Sequence, residues 1–584
     1  MTEYKTPGVY VKEISKFPPS VAGVATAIPA FIGFTEKPTF ETDSKPQAVK
    51  IKSLLDYENL FGVGPKLELN NEGDLQKHNF VMYDSIRLFF DNGGSNCYVV
   101  SIGNYNATTF DADVYTKGLE PLKKVDEVTL LVAPDAAMLM EKEQLGTVHK
   151  AMLTQCVELG DRFAILDPKK TDDLNTALKD FRENVGSNGL SYGAAYYPYL
   201  KTTYTKDISF DEMLKIADIK EKAEKIDLYN NYYAITNNNL ALGIVKEKLQ
   251  KEHSIALQPI EEAIKLLTEE IEKLKEAEKP DEKAIKEKEK EKSAKEKEKD
   301  SCEEKKQLDE FEKFSVNPNG DLLYSKDEII MGTFEASDNP KKDANPIGKK
   351  VYEAILAEIP EIKDKKDLMA KAFAAQIDGY AEKLAKLQDE ASIITPSGAI
   401  AGIYVATDGN KGVWQAPANM SLAAVGAVTE IISDNDQAGM NVDDNAGKSV
   451  NAIRFFTGKG ILVWGARTLD GNSNEWRYVS VRRLFNYVEE SVQKSTNWAV
   501  FQPNDANTWV KIQCQIENFL NNLWRDGALA GPTPDKAYYV KVGQDITMTA
   551  DDINNGYLIV EIGIAAVRPA EFIVLKFSHK VQEA

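Results

Sequence analysis

Apolar and polar positions alternate in rhythm along this chain in three different ways. In the first two hundred residues, short apolar runs are separated by helical patterns. Val9-Tyr10-Val11-Lys12-Glu13-Ile14 follows Pro7-Gly8 and reads as a short strand behind a flexible arm. Ala30-Phe31-Ile32-Gly33-Phe34, Cys97 to Val100, Val128 to Val132 and Arg162 to Leu166 have the composition of buried strands. Between them, Phe80 to Phe90 and the stretch with Met152, Leu153 and Val157 repeat at helical spacing, which makes this part α/β in character. Asp135 and Asp167 follow two of the strands, where a catalytic rim and a pair of plain turn residues are both open readings.

From residue 201 the rhythm changes. Leu257, Ile260, Ile264, Leu267, Ile271 and Leu274 recur at spacings of three and four, the seam of a coiled coil or helical hairpin. The seam then fades into residues 271–310, with 15 acidic and 13 basic residues. Such near balance predicts an exposed helix laced by weak i,i+4 pairs rather than a basic binding tail. Small helical or mixed elements continue to about residue 394. After Thr395 the pattern tightens again. Gly402 to Val405 and Gly460 to Trp464 read as buried strands. Val481, Leu484, Phe485, Val488 and Val492 line one helix face, and Ile512, Ile516, Phe519, Leu520 and Leu523 line another that Gly527 ends. Late strands are expected at 537–542, 557–564 and 571–577.

Composition narrows the function. A chain of 584 residues exceeds a single core and predicts several domains. A net charge of -20 argues against general nucleic-acid binding, which needs clustered cations. Cys97, Cys156, Cys302 and Cys514 are far apart, so no zinc site or disulfide framework is expected. No apolar run approaches a membrane span and the N-terminus has no signal-like segment, so a chain folded in a cytoplasm, without stable membrane insertion, is expected.

Three local patterns imitate catalytic motifs. Gly189-Leu190-Ser191-Tyr192-Gly193 has the letters of a nucleophile elbow, but a turn-like segment precedes it and only His253 and His579 lie downstream. Gly447-Lys448-Ser449 ends like a phosphate loop, yet Val442 stands where the earlier glycine belongs. Asp434-Asn435-Asp436 opens like a calcium loop, but Asn445 replaces its closing glutamate. No cofactor, metal site or enzymatic activity is therefore expected. All six tryptophans, Trp414, Trp464, Trp476, Trp498, Trp509 and Trp524, lie in the last third, which predicts a packed core or an interface there.

Several blocks, taken in order, resemble the tail sheath proteins of contractile phages and of phage-tail-like extracellular injection systems. They are Thr6-Pro7-Gly8-Val9-Tyr10-Val11-Lys12-Glu13, Ser191-Tyr192-Gly193-Ala194-Ala195-Tyr196-Tyr197-Pro198, Pro396 to Tyr404, and Gly412 to Asn419. Val463 to Leu469, Tyr478 to Phe485, Phe519 to Leu529 and Val567 to Phe572 follow. In that family the second and third blocks usually lie close in sequence, whereas here residues 201–395 intervene.

The resemblance implies a multidomain α/β and α+β fold. Its sheath core would be built from the N- and C-terminal parts of the chain, with an inserted, mainly helical outer domain. The expected divisions are an N-terminal arm at 1–20, core at 21–200, insertion at 201–394, core again at 395–570 and a C-terminal arm at 571–584. It implies a structural subunit that polymerises helically around an inner tube and contracts to drive the tube into a target cell. A subunit of another tubular or surface array is the alternative. Implied partners are copies of itself, the tube protein, and baseplate and cap proteins, with no nucleic acid. The arms would donate strands to neighbours through Val9, Tyr10, Val11 and Ile14 at one end and Phe572, Val574 and Phe577 at the other. Arg482 and Arg483, with Glu489 and Glu490 further along the same helix, are the candidate contacts to tube or sheath; a solvated helix face is the plain alternative.

Overall fold

The computed structural model describes residues 20–39, 45–226, 237–277, 280–316, 322–324, 328–329, 346–443 and 447–575. They form a mixed α/β, multidomain structure with two compact units. One holds residues 1–68, 75–208 and 386–584, and the other holds 69–74 and 209–385.

The first unit is organised by a nine-stranded sheet. Its order is Met420–Ser421, Gly460–Val463, Val450–Phe456, Gly193–Tyr197, Phe163–Leu166, Leu130–Val132, Pro29–Thr35, Cys97–Asn104 and Ala48–Ile51. From Val450–Phe456 to Cys97–Asn104 every pairing is parallel, and the flanking pairs are antiparallel. Parallel strands need both faces covered, which explains why these segments read as unbroken apolar runs. Ala30, Ile32, Leu131, Ala164 and Tyr197 point to a core that includes Tyr115, Met152, Leu153 and Phe181 of covering helices. Phe31, Val99, Leu130, Ile165 and Tyr196 point the other way, onto Ile86 and Phe89 of the helix Met82–Asp91 and onto Ile400 and Tyr404.

Those last two residues correct an expectation. Gly402 to Val405 lie inside a helix, Ser397–Lys411, not a strand. Nine of its residues are buried, so no polar face marks the helical period. Its glycines serve close packing: a Cβ on Gly402 would stand 2.6 Å from the Phe89 carbonyl, and one on Gly398 would strike the Ser85 carbonyl. The remaining core of this unit joins the helices Val479–Thr496 and Ala506–Arg525 to an antiparallel pair, Tyr538–Val542 and Val560–Ile564. Gly527, at φ +85°, follows the second helix.

The ends of the segment leading to residue 208 and from residue 386 are tied together. Leu200 pairs with Ile394 and Lys201 with Ile393 in antiparallel register, and the Lys201 ammonium meets Asp389 at 2.5 Å.

The second unit is helical with a small sheet. Ala241, Val245, Leu249, Phe311, Val351 and Ile355 form its core. The predicted seam lies on the long helix Asn237–Lys275, which pairs with the helix Glu282–Ser301 as a hairpin. The second helix has no buried residue. Its half-buried positions include Ala284, Ile285, Lys288, Lys292, Lys295 and Lys299, so lysine makes up much of its sheltered face. Lys288 pairs with Glu270 at 3.1 Å, Lys299 with Glu261 at 2.6 Å and Lys275 with Glu289 at 2.7 Å.

Candidate functional site: the arm roots and the helix between them

The catalytic look-alikes resolve into local structure. Ser191 sits in one 3-10 turn, Leu190–Tyr192, with a strand after it rather than before it. Among the described residues no hydrogen bond joins it to a histidine. The Lys448 ammonium donates to the Arg182 carbonyl at 2.5 Å, and Ser449 Oγ donates to the Asn441 carbonyl, so neither presents a phosphate cradle. Asp434 to Asp436 begin a helix, Asp434–Asn441, closed by a capping box between Ser433 and Asp436. Asn445 lies outside the described residues. Among those described, no cluster of His, Cys, Asp or Glu is arranged to hold a metal, and no helix is long and apolar enough to cross a membrane.

Asp135 and Asp167 have a structural use at strand ends. Asp135 accepts from the Phe34 and Val81 amides at 2.7 Å, and Asp167 accepts from the Ser397 amide at 3.0 Å and from its hydroxyl. Burial pushes both carboxyls up to about 7, against the lowering effect of these bonds.

The arginines placed by sequence at a partner surface are buried inside this chain. Arg483, 3% exposed, grips Asp408 of the helix Ser397–Lys411 with two nitrogens at 3.0 and 2.6 Å and stacks over Tyr404. Arg482 donates to Asn486 at 2.7 Å, reaches Glu489 at 3.2 Å and lies 4.1 Å over the Trp476 ring. Glu490 is mostly buried and pairs with Lys494 at 2.6 Å, while Glu489 keeps half its side chain in solvent. The adverse placement of cations near the helix start is offset by these internal partners, so neither guanidinium faces outward in the described chain.

Sequence reasoning passed over the groups that hold the arms. On the N-terminal side, the Thr26 carbonyl accepts from Arg483 at 2.8 Å. The Val24 amide donates to Ser491 Oγ and the Ala22 amide to Ser495 Oγ, each at 3.2 Å. On the C-terminal side, Glu571 takes a two-pronged bond from Arg467 at 2.9 and 2.7 Å and a third from the Tyr478 hydroxyl at 3.1 Å. Beyond it Phe572, Ile573, Val574 and Leu575 are 72–79% exposed. None of the four is in a strand, so the expected strand is not formed within this chain at Phe572 or Val574. Val9, Tyr10, Val11, Ile14 and Phe577 lie outside the described residues. Arg467 and Glu571 stand in two of the sequence blocks quoted above, but no local spacing links positions 104 residues apart. The tryptophans are all half-buried, not core; Trp498, Trp509 and Trp524 each direct the indole N–H to a partner, at Gln515, Asn504 and the Gly531 carbonyl.

Comparison with known proteins bears on this geometry. Residues 472–580 match the family model of the phage tail sheath C-terminal domain. A tail sheath protein of Vibrio phage KVP40 is 24% identical over 211 residues, 35% of this chain and 29% of that protein. The tail sheath protein of Enterobacteria phage T4 is 24% identical over 30% of this chain and 26% of its own. A putative prophage major tail sheath protein of Pseudomonas aeruginosa is 25% identical over 29% and 42%. These matches thus span less than half of each relative. In fold, the chain resembles the sheath complex of the PVC extracellular contractile injection system in its contracted state. The TM-score is 0.53 and identity 23%, over 100% of this chain and 99% of that one. The contracted helical sheath of the anti-feeding prophage gives 0.52 and 24%, over 99% and 100%. By sequence in residues 472–580, and by fold over its whole length, the chain is similar to the tail sheath proteins of contractile phages and phage-tail-like contractile injection systems.

Proposed function

We propose that this chain is the structural subunit of a contractile sheath, assembling helically with copies of itself around an inner tube and driving that tube forward when the sheath shortens. The observation that carries the reading is the C-terminal arm. Four consecutive apolar residues, Phe572 to Leu575, leave a firmly held root and stay in solvent. Exposed apolar backbone of this kind gains hydrogen bonds and burial by pairing with the edge of another sheet. The two-stranded sheet Tyr538–Val542 and Val560–Ile564 offers such an edge within the same domain type. In this reading the arm of one copy pairs there on the next, and the N-terminal arm makes a second link. The unit built from both chain ends is the sheath core, and residues 209–385 are an outer insertion without a part in assembly. Baseplate and terminal cap proteins complete the partners. The work is mechanical: free energy stored at assembly replaces a catalytic step.

The test is truncation followed by electron microscopy. Chains lacking residues 572–584, or separately residues 1–14, should stay folded yet form no long sheaths on the tube. Sheaths of normal length from both truncations would refute the reading.

A further inference from the structure

The two arms depart from opposite ends of one helix. The N-terminal segment climbs Val479–Thr496 from its first turns to its last, through Arg483, Ser491 and Ser495 in that order as it runs back toward Ala22. Gly23 lies against the Tyr487 ring, where a Cβ would have no room. The C-terminal root is fixed at the other end, because Tyr478, which binds Glu571, immediately precedes the helix. Arg467 is itself held rigidly. Its amide donates to Asn451 Oδ1 and its carbonyl accepts from Asn451 Nδ2, both at 2.8 Å, and its Nη1 donates to the Asn441 carbonyl at 3.0 Å. Asn451 is fully buried in the central sheet.

We infer that Glu571 is a positioning residue for the C-terminal arm, and that the helix Val479–Thr496 sets the separation of the two arm roots. Eighteen residues at 1.5 Å per residue put the roots about 27 Å apart. The inference rests on the reading that the arms link copies. Glu571 matters because, among the described residues, nothing after it holds the chain: Phe572 to Leu575 are exposed. The next backbone bond to the body of the domain is Val567 to the Ala528 carbonyl, four residues upstream. Releasing Glu571 therefore adds up to about 13 Å of slack to the arm, at roughly 3.3 Å per extended residue. A link with that much slack no longer holds one copy in register with the next.

The experiment uses the full chain with Cys302 and Cys514 replaced by serine. Spin labels are placed by Gln493→Cys on the helix and Ile573→Cys on the arm, and their separation is read by pulsed electron resonance. The parent should give a narrow distance distribution. Glu571→Ala should broaden it widely, Glu571→Gln should restore part of the narrowing, and both variants should remain folded at the temperature of the measurement, although Arg467 loses a partner. Unlabelled Glu571→Ala should then fail to build long sheaths. A distribution that stays narrow in Glu571→Ala overturns the anchor. A broad one accompanied by normal sheaths overturns its positioning role. Normal sheaths from the chain lacking 572–584 would instead refute the linking role of the arm, a failure separable from either.

Discussion

The strand Leu130–Val132 and the helix Glu282–Ser301 stand at opposite extremes: every residue of the strand is buried, and none of the helix is. The strand sits mid-sheet with apolar layers above and below, so its stability comes from area removed from water. The helix is joined to its neighbour by ion pairs whose partners remain largely in solvent, where each contributes little. Charge in the first unit is used differently. There the carboxylate and guanidinium of Asp408 and Arg483 are almost wholly enclosed. A charge that has lost its water depends on its partner far more than one that has kept it.

The largest effect should therefore come from Arg483→Ala. It strands Asp408 in a dry site and frees the Thr26 carbonyl, at an expected cost of about 3–5 kcal/mol in chemical denaturation of the first unit. The paired replacement Arg483→Met with Asp408→Leu should recover most of that loss. If Arg483→Ala costs under about 1 kcal/mol, the site is wetter than its geometry implies.

A smaller effect separates the two regions by salt. Raising salt from 0.1 to 1 M shortens the screening length from about 10 to 3 Å. Hydrogen exchange should then quicken in residues 282–301 and stay unchanged in residues 130–132. Equal protection at both salt levels in the hairpin would mean that the lysine stems, rather than the ammonium groups, hold it.

A third effect, read only as a change with pH, concerns Asp167. Its carboxyl rises from 3.8 to about 7 on folding, so the folded state binds the extra proton between those values. The resulting stability is present below about 4 and is lost as pH climbs through 7. Asp167→Asn keeps an acceptor for the Ser397 amide and removes the titration. Its melting temperature relative to the parent should rise from pH 4 to 7 and level off above. A difference independent of pH would contradict the burial of that carboxylate.

Much of this architecture could be read from residue order, and the failures have physical causes. The parallel strands are visible because burial on both faces leaves no polar alternation to confuse: Ala30 to Phe34 falls within the strand Pro29–Thr35, and Val128 to Val132 and Arg162 to Leu166 contain the shorter strands Leu130–Val132 and Phe163–Leu166. The hairpin seam was visible because one of its two helices keeps a clean apolar stripe. That lysines would supply the other side was hidden, since a lysine letter does not distinguish a stem laid on a neighbour from one in solvent. Ser397–Lys411 was misread because a helix enclosed on all sides and rich in small residues has lost its period. Arg483 was misread because its partner, Asp408, is 75 positions away, and local charge order carries no information about such a pairing. The arm anchors escaped for the same reason: Glu571 and Arg467 meet only after the whole domain has closed.

The antiparallel pairing of Leu200 with Ile394 makes a socket in the chain. Neighbouring strands lie only about 4.8 Å apart, so whatever is carried between them begins and ends at almost one point. The entropic charge for a longer excursion grows as a logarithm, roughly 0.6 kcal/mol per doubling. A domain with adjacent termini can accordingly be exchanged for residues 209–385 without stretching the strands that receive it. The tie between Lys201 and Asp389 would act as the clasp. This junction is where a lineage, or an engineer, can change the inserted unit while leaving the sheet that carries it alone.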